Sequence, residues 1–190
     1  MIQHKSNHRK RLKRYNIPNH AHELTFSCYQ KRPYLKDPAI CEIFMQELDH
    51  ARQRFSIKIW AYVLMPDHVH LLLLPENEVY NISVILQHIK GKTATKYRQS
   101  VLKSDPERFD NYCVAVSGKK MFRIWQPGGG FDRNLWNAEA IHAAVNYIEW
   151  NPVSAGLVQR PEDWMWSSAW ARLNHTGLDS DLSELPMWMK

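Results

Sequence analysis

The chain has 190 residues, of which 44% are hydrophobic, so it can form a folded core and wholesale disorder is excluded. No apolar run approaches the about 20 residues of a membrane-spanning helix, and the N-terminus lacks the apolar segment of a secretory signal. The net charge is +6, and the whole excess lies in one N-terminal stretch. Its basic residues are Lys5, Arg9, Lys10, Arg11, Lys13 and Arg14. Such a stretch is typical of polyanion binding.

The three cysteines exclude two classes of site. Cys28, Cys41 and Cys113 are odd in number, lie far apart and form no C-x-x-C pair. A disulfide framework or a cysteine zinc site is therefore not expected. The reducing cytoplasm is the expected compartment.

The first half of the chain alternates between strand and helix patterns. Residues 22–30 are a short β-rich run, and residues 38–54 carry apolar side chains at helical spacing. Residues 56–65 and 68–74 lie on either side of a Pro-Asp break, which predicts two strands in a hairpin. A second helix is predicted over residues 82–99.

The second half begins with a long irregular connection. Residues 102–130 show no clear periodicity, and connections of this length are usually functional or disordered. A short strand is predicted at either 121–126 or 131–135. A final amphipathic helix is predicted over residues 138–150, ending before Pro152 because the residue before a proline disfavours helix.

The order of elements is therefore β-α-β-β-α-β-α. This order predicts an α+β fold, a ferredoxin-like split βαβ with an antiparallel sheet and an added C-terminal helix. We interpret residues 1–21 as a basic arm and residues 22–158 as the folded domain. Residues 159–190, rich in tryptophan, are interpreted as an extension that packs on this domain.

The H-x-H sequence of the fourth predicted element is a candidate metal site. Residues two apart on a strand project from one face, so His68 and His70 can converge on one ion. Val69 and Leu71 would then point into the core. By itself the pair is equally compatible with two ordinary histidines on a half-exposed strand.

A second candidate group lies on the final helix. Its predicted buried stripe is Ile141, Ala144, Val145 and Ile148. Tyr147 and Asn151 are four residues apart and share one flank of this stripe. They are either a boundary tyrosine and a cap asparagine or, if this flank lies over the histidines, a nucleophile beside a metal site.

Several motifs together resemble a known family. MPDHVHLLLL is followed about 75 residues later by VNYIEWNPVSAGLV and then by PEDWMWSS. These segments, with Ile124–Gln126, resemble the HUH single-tyrosine transposases, and most of all the REP-associated tyrosine transposase branch. The resemblance covers about residues 20–170. The chain departs from the family at the PGGG-FDRN segment and in a longer stretch over residues 102–120.

The resemblance implies a function and roles for four residues. It implies that His68 and His70 are metal ligands, that Tyr147 is the nucleophile, and that Asn151 is the third ligand. The mixed nitrogen and oxygen ligands favour one divalent ion, Mg²⁺ or Mn²⁺, although two histidines would also accept zinc or nickel. The implied activity is cleavage and rejoining of single-stranded DNA at hairpin elements through a 5′-phosphotyrosine, in DNA transposition. The implied location is the bacterial cytoplasm, at the nucleoid when DNA is bound.

DNA contacts are expected from basic residues outside the metal site. The N-terminal arm is one group, and two groups in the middle of the chain are others, although the first of these equally fits a solvated helix face. The middle groups consist of Lys90, Lys92, Lys96, Arg98, Lys119, Lys120, Arg123, Trp125 and Arg133.

Three other functions remain open from the sequence. The chain could be a domesticated, catalytically silent protein that binds hairpin DNA, a metal-dependent hydrolase in which Tyr147 is a bystander, or an RNA-binding ferredoxin-like domain. The sequence does not distinguish a monomer from a homodimer, nor Tyr147 acting in its own subunit from Tyr147 acting in a partner.

Overall fold

A computed structural model describes residues 14–176 of the chain. The strands are β1 (Ala21–Ser27), β2 (Ile57–Met65), β3 (His68–Pro75), β4 (Cys113–Val116), β5 (Lys119–Phe122) and β6 (Phe131–Leu135). The helices are α1 (Pro38–Phe55), α2 (Ile82–Ser104), α3 (Pro106–Phe109), α4 (Ala138–Ser154) and α5 (Ser168–Leu173).

Four strands form the central sheet in the order β2-β3-β1-β6, and every neighbouring pair is antiparallel. Strands β1 and β2 therefore run parallel with β3 between them, which is the split βαβ arrangement. The predicted α+β fold with an antiparallel sheet is confirmed. Of the two predicted positions for the late strand, residues 131–135 supply the sheet strand, and β5 pairs with β4 in a separate hairpin.

Helices cover both faces of this sheet. On one face, Val69, Leu71 and Leu73 of β3 belong to the core that packs under α1 and α2. On the other face, Leu72 and Leu74 pack with the stripe of α4. The four predicted stripe residues of α4 are all buried. Because successive strand residues alternate between faces, the two cores divide β3 residue by residue.

The predicted end of the last helix is wrong. Helix α4 continues through Pro152 to Ser154, one turn beyond the predicted stop at residue 150. The proline removes only one backbone donor, and it stands in the last turn, where few intrahelical bonds remain to be lost. Its ring is buried, which offsets part of the cost.

The irregular connection is shorter than predicted. Helix α2 continues to Ser104, and the residues after it form α3 and the β4–β5 hairpin. Strand β1 ends at Ser27, three residues before the predicted limit, because Gln30 and Lys31 adopt left-handed backbone angles. This turn brings the chain back beside the start of β3, where Cys28 N donates to Asp67 O at 2.7 Å.

The segment after α4 covers the outer edge of β2. Leu64 N donates to Trp166 O at 2.9 Å, and Trp164 Nε1 donates to Leu64 O at 2.9 Å. Pairing of this kind protects an edge strand. Trp188 and five of the six basic arm residues lie outside the described part of the chain. Among residues 14–176, no helix is long and apolar enough to cross a membrane.

Candidate functional site

The two histidines of the H-x-H motif converge at the start of β3. Their Nε2 atoms lie 3.1 Å apart, and the rings stand at 84° to each other. Two nitrogens that each lie about 2.1 Å from one ion in neighbouring coordination positions are about 3 Å apart. The spacing of His68 and His70 is therefore that of a shared cation.

The second nitrogen of each imidazole has a partner of its own. His68 Nδ1 donates to Asp67 Oδ1 at 2.6 Å, and His70 Nδ1 lies 2.8 Å from Thr25 Oγ1. Asp67 Oδ2 is also 3.5 Å from the ammonium of Lys31. Partners at Nδ1 hold the ring orientation and leave the two Nε2 atoms facing each other, as is usual for histidines that bind a metal through Nε2.

The charge state of this group follows from burial. Burial lowers the pKa of His70 to about 4, and the neighbouring His68 and Lys31 lower it as well, so His70 is neutral at pH 7. Burial alone would raise the pKa of Asp67, but the hydrogen bond from His68 and the Lys31 ammonium hold that pKa below its usual value. The neutral imidazole of His70 is the form that binds a cation.

Helix α4 places Tyr147 directly at these histidines. The rings of Tyr147 and His70 are 5.4 Å apart between centroids and meet edge to face at 85°. Tyr147 is 55% exposed although its ring contacts His70. Asn151 lies one turn later, and its Nδ2 donates to Tyr147 O at 3.1 Å.

The fit of this group to a metal rests on its two histidines. Within residues 14–176 there is no cluster of three or more His, Cys, Asp or Glu side chains suited to an ion. The nitrogen pair with free Nε2 atoms would need additional oxygen ligands, from the Asn151 amide, water or a substrate. The group thus suits an open site, with positions left for a phosphate.

Several of the predicted DNA-contacting residues are engaged within the protein, and the first four are Arg14, Trp125, Lys90 and Lys96. The Arg14 guanidinium lies 3.3 Å from Asp132 and also donates to Ser83 Oγ at 3.1 Å. Trp125 is 8% exposed, packs on Phe26 and Phe44, and donates to the backbone of α2, so its ring is a core side chain. The other two of the four are Lys90, which donates to Gly128 O at 3.1 Å, and Lys96, which pairs with Glu47 at 2.5 Å.

The remaining predicted contacts are dispersed over the surface. Arg133 lies on β6, with its side chain 54% exposed and paired to Glu23. Lys119 and Lys120 are on the β4–β5 hairpin, and Lys120 is paired with Asp110 at 2.6 Å. The last group, Lys92, Arg98 and Arg123, is spread over α2 and the segment after β5.

Two residues of the site were missed by the sequence analysis. Asp67 is adjacent to His68, and a carboxylate next to an H-x-H pair was a usable signal for a histidine partner. Thr25 gave no such signal, because its contact with His70 depends on the pairing of β1 with β3.

Comparison with known proteins identifies the family. Residues 16–126 match the family described as "Transposase IS200 like", a segment that contains both histidines and ends before α4. A candidate REP-associated tyrosine transposase of Haemophilus influenzae is 28% identical over 117 residues, which is 61% of this chain and 61% of the relative. The chain thus covers less than two thirds of that relative's length.

The fold has also been seen before. A solved structure of a REP-associated tyrosine transposase bound to a REP hairpin superposes with a TM-score of 0.64 and 20% identity. The superposition covers 94% of this chain and 96% of that chain. The resemblance to tyrosine transposases seen in the sequence is confirmed, and because the family match spans more than half of the sequence, the chain belongs to the IS200-like transposase family.

Proposed function

We propose that this protein is a metal-dependent single-stranded DNA endonuclease and transposase that cleaves and rejoins DNA at hairpin elements. The observation that carries the proposal is the edge-to-face contact of Tyr147 with His70, whose Nε2 faces that of His68 at 3.1 Å. This contact joins an exposed tyrosine to a pair of converging imidazole nitrogens. Family membership supports the same reaction class.

The first task of the site is to hold the phosphate. His68 and His70 would bind one divalent ion, Mg²⁺ or Mn²⁺, through Nε2, with the Asn151 oxygen as a further ligand. When bound, the ion would polarise the scissile phosphate and neutralise the charge that develops on its oxygens. Asp67 and Thr25 fix the imidazole rings through Nδ1.

The second task is nucleophilic attack by Tyr147. Its phenolic oxygen forms a bond to phosphorus while the bond from phosphorus to the 3′ oxygen breaks. The phenol loses one proton and the leaving 3′ oxygen gains one, so the products are a 5′-phosphotyrosine and a 3′-hydroxyl. The phosphotyrosine ester conserves the energy of the broken phosphodiester bond. The 3′-hydroxyl of another strand can therefore attack this ester, release Tyr147 and complete strand transfer.

The proposed substrate is hairpin DNA with single-stranded flanks. The support is that the superposable transposase was solved with a REP hairpin and that the net charge of this chain is +6. The residues of the arm before Arg14 would add sequence-independent phosphate contacts.

Trapping of a covalent adduct tests the proposal. The wild-type chain is incubated with a labelled hairpin oligonucleotide carrying single-stranded flanks, with Mg²⁺ or Mn²⁺, and resolved on a denaturing gel. We expect an adduct that disappears in Tyr147→Phe and on chelation, and that returns when the metal is restored. Tyr15→Phe is the matched control, because Tyr15 is 56% exposed and lies outside the site.

The hydrolase and the silent hairpin-binding protein each have their own outcome in this experiment. Cleavage without an adduct would identify a hydrolase and would overturn the role of Tyr147. Binding without cleavage in either metal would identify a silent hairpin-binding protein. An adduct that survives in Tyr147→Phe would assign the nucleophile to another tyrosine.

A further inference from the structure

Part of the α4 face of the sheet is not covered by α4. The helix packs chiefly along β2, and its apolar cluster reaches β1 and β6 at Ala21 and Leu135, which are paired at one end of these two strands. Toward the other end, one row of paired residues runs across three strands, because Thr25 of β1 is opposite His70 of β3 and also opposite Phe131 of β6. Directly paired residues share a face, so Phe131 and His70 are on the same side of the sheet.

Phe131 is an exposed aromatic residue at the open edge of this row. Its side chain is 48% exposed, and its strand is the last of the sheet. Two strand spacings of about 4.8 Å separate it from His70, which is a distance of about 10 Å along the row. DNA held at His70 and Tyr147 would therefore reach Phe131 with a nucleotide close to the cleaved bond.

A cavity of about 270 Å³ lies beside Phe131. It is formed between β1 and the loop of residues 127–130, and Thr25, the partner of His70, is one of its walls. Gly130 brings the loop against β1: its φ is +74°, and a Cβ there would collide with Thr25 O. The close approach of the loop thus places Phe131 next to the cavity.

A cation lines the cavity. It is Lys90 of α2, which donates to the loop carbonyl of Gly128 at 3.1 Å. Arg133, two residues after Phe131 on the same face, carries a half-exposed guanidinium that is paired with Glu23. An exposed aromatic ring near cationic side chains is an arrangement that binds single-stranded nucleic acid, through stacking of a base and contacts to its phosphate.

We propose that Phe131 and the cavity between Thr25 and the Pro127–Gly130 loop bind an unpaired base next to the scissile phosphate, with the ring of Phe131 stacked on that base. This subsite rests on the proposed function, because its strand would continue from the phosphate at His70. It is a binding site and takes no part in the chemistry of Tyr147.

Fluorescence of a base analogue locates the subsite. Hairpin oligonucleotides carry 2-aminopurine at successive flanking positions, one position per probe. We expect quenching at one position with the wild-type chain and with Phe131→Tyr, which keeps the ring, and no quenching there with Phe131→Leu. Trp136→Leu is the control, because Trp136 is 59% exposed but follows the far end of β6.

Equilibrium binding then separates stacking from a general loss of affinity. Phe131→Leu is expected to bind the probe roughly 5- to 100-fold more weakly than the wild-type chain, as for loss of one stacked base. On a probe that is abasic at the quenched position, the two chains are expected to bind equally. An equal loss on both probes, or no loss on either, overturns the proposal, and so does a loss of the same size in Trp136→Leu.

The binding readout does not depend on cleavage, so the two proposals fail separately. An adduct at Tyr147 without any effect of Phe131→Leu overturns the subsite alone. Base-dependent binding at Phe131 without an adduct overturns the cleavage proposal and leaves the subsite standing. A wild-type chain that fails to bind the hairpin probes overturns both.

Discussion

The two faces of strand β3 carry opposite kinds of residue at their start. On the α1–α2 face, Val69, Leu71 and Leu73 are fully buried in an apolar core. On the α4 face, the same strand begins with His68 and His70 before it continues with leucines. The difference arises because α4 covers only part of its face and places Tyr147 at the uncovered boundary. A single strand thus supplies an apolar core on one side and the candidate site on the other.

His70→Ala is the sharpest test of this division. The variant loses the proposed Nε2 ligand and the ring against which Tyr147 packs. We expect adduct formation to fall by at least about 10³-fold, because several kcal/mol of charge stabilisation are lost. The rate is measured on the hairpin oligonucleotide at saturating metal. A residual rate within tenfold of the wild-type rate would remove His70 from the site.

Leu71→Ala tests the opposite face one residue later. Leu71 is 0% exposed, and its truncation leaves a cavity under α1 and α2. The free energy of unfolding is expected to fall by about 2–5 kcal/mol, measured by urea denaturation. The fraction that remains folded should still form the adduct. A change in cleavage without a change in stability would contradict the division between the faces.

Thr25→Val tests the partner that orients His70. Valine keeps the β-branched shape but cannot hydrogen-bond to Nδ1. We expect the cleavage rate or the affinity for metal to fall about 10- to 100-fold, with little change in stability. Thr93→Val is the matched control, since Thr93 is a buried threonine whose hydroxyl donates to Ile89 O of its own helix. Equal effects of the two substitutions would argue against a positioning role.

The smallest expected effect is that of Glu47, a charged residue on α1. Burial alone would raise the pKa of Glu47, but the hydrogen bond and charge of Lys96 hold that pKa below its usual value. A lowered pKa in the folded state stabilises the fold above the unfolded-state value of about 4.3, and this stabilisation is lost as the pH falls through the folded-state value. Glu47→Gln should therefore flatten the loss of stability between about pH 5 and pH 3.

The effect of Glu47 should be on the order of 1 kcal/mol or less, because Lys96 is partly exposed to solvent. Urea denaturation at several pH values measures it. Adduct formation at pH 7 should be unchanged in Glu47→Gln, because Glu47 lies on α1, on the opposite face of the sheet from His70 and Tyr147. A drop in adduct formation would show that the α1–α2 face influences the candidate site.

Local patterns in the sequence were enough to predict most elements. The strands within residues 56–74 and the buried stripe of α4 were predictable from the spacing of apolar side chains. This spacing can be read within a short stretch of sequence. The same spacing placed Tyr147 and Asn151 on one flank of α4. The end of α4 was mispredicted because the cost of a proline in the last turn depends on what buries its ring.

Only the tertiary structure decided what the site contains. The pairing of β1 with both β3 and β6 brings Thr25 to His70 and places Phe131 in the same row, although 106 residues separate Thr25 from Phe131 in the sequence. The approach of Arg14 to Asp132 of β6 likewise placed this residue in an ion pair within the protein. By itself the sequence determined which residues can bind a metal or attack a phosphate, because that is a property of the side chains. Their convergence depends on strand register and helix coverage, which are properties of long-range packing.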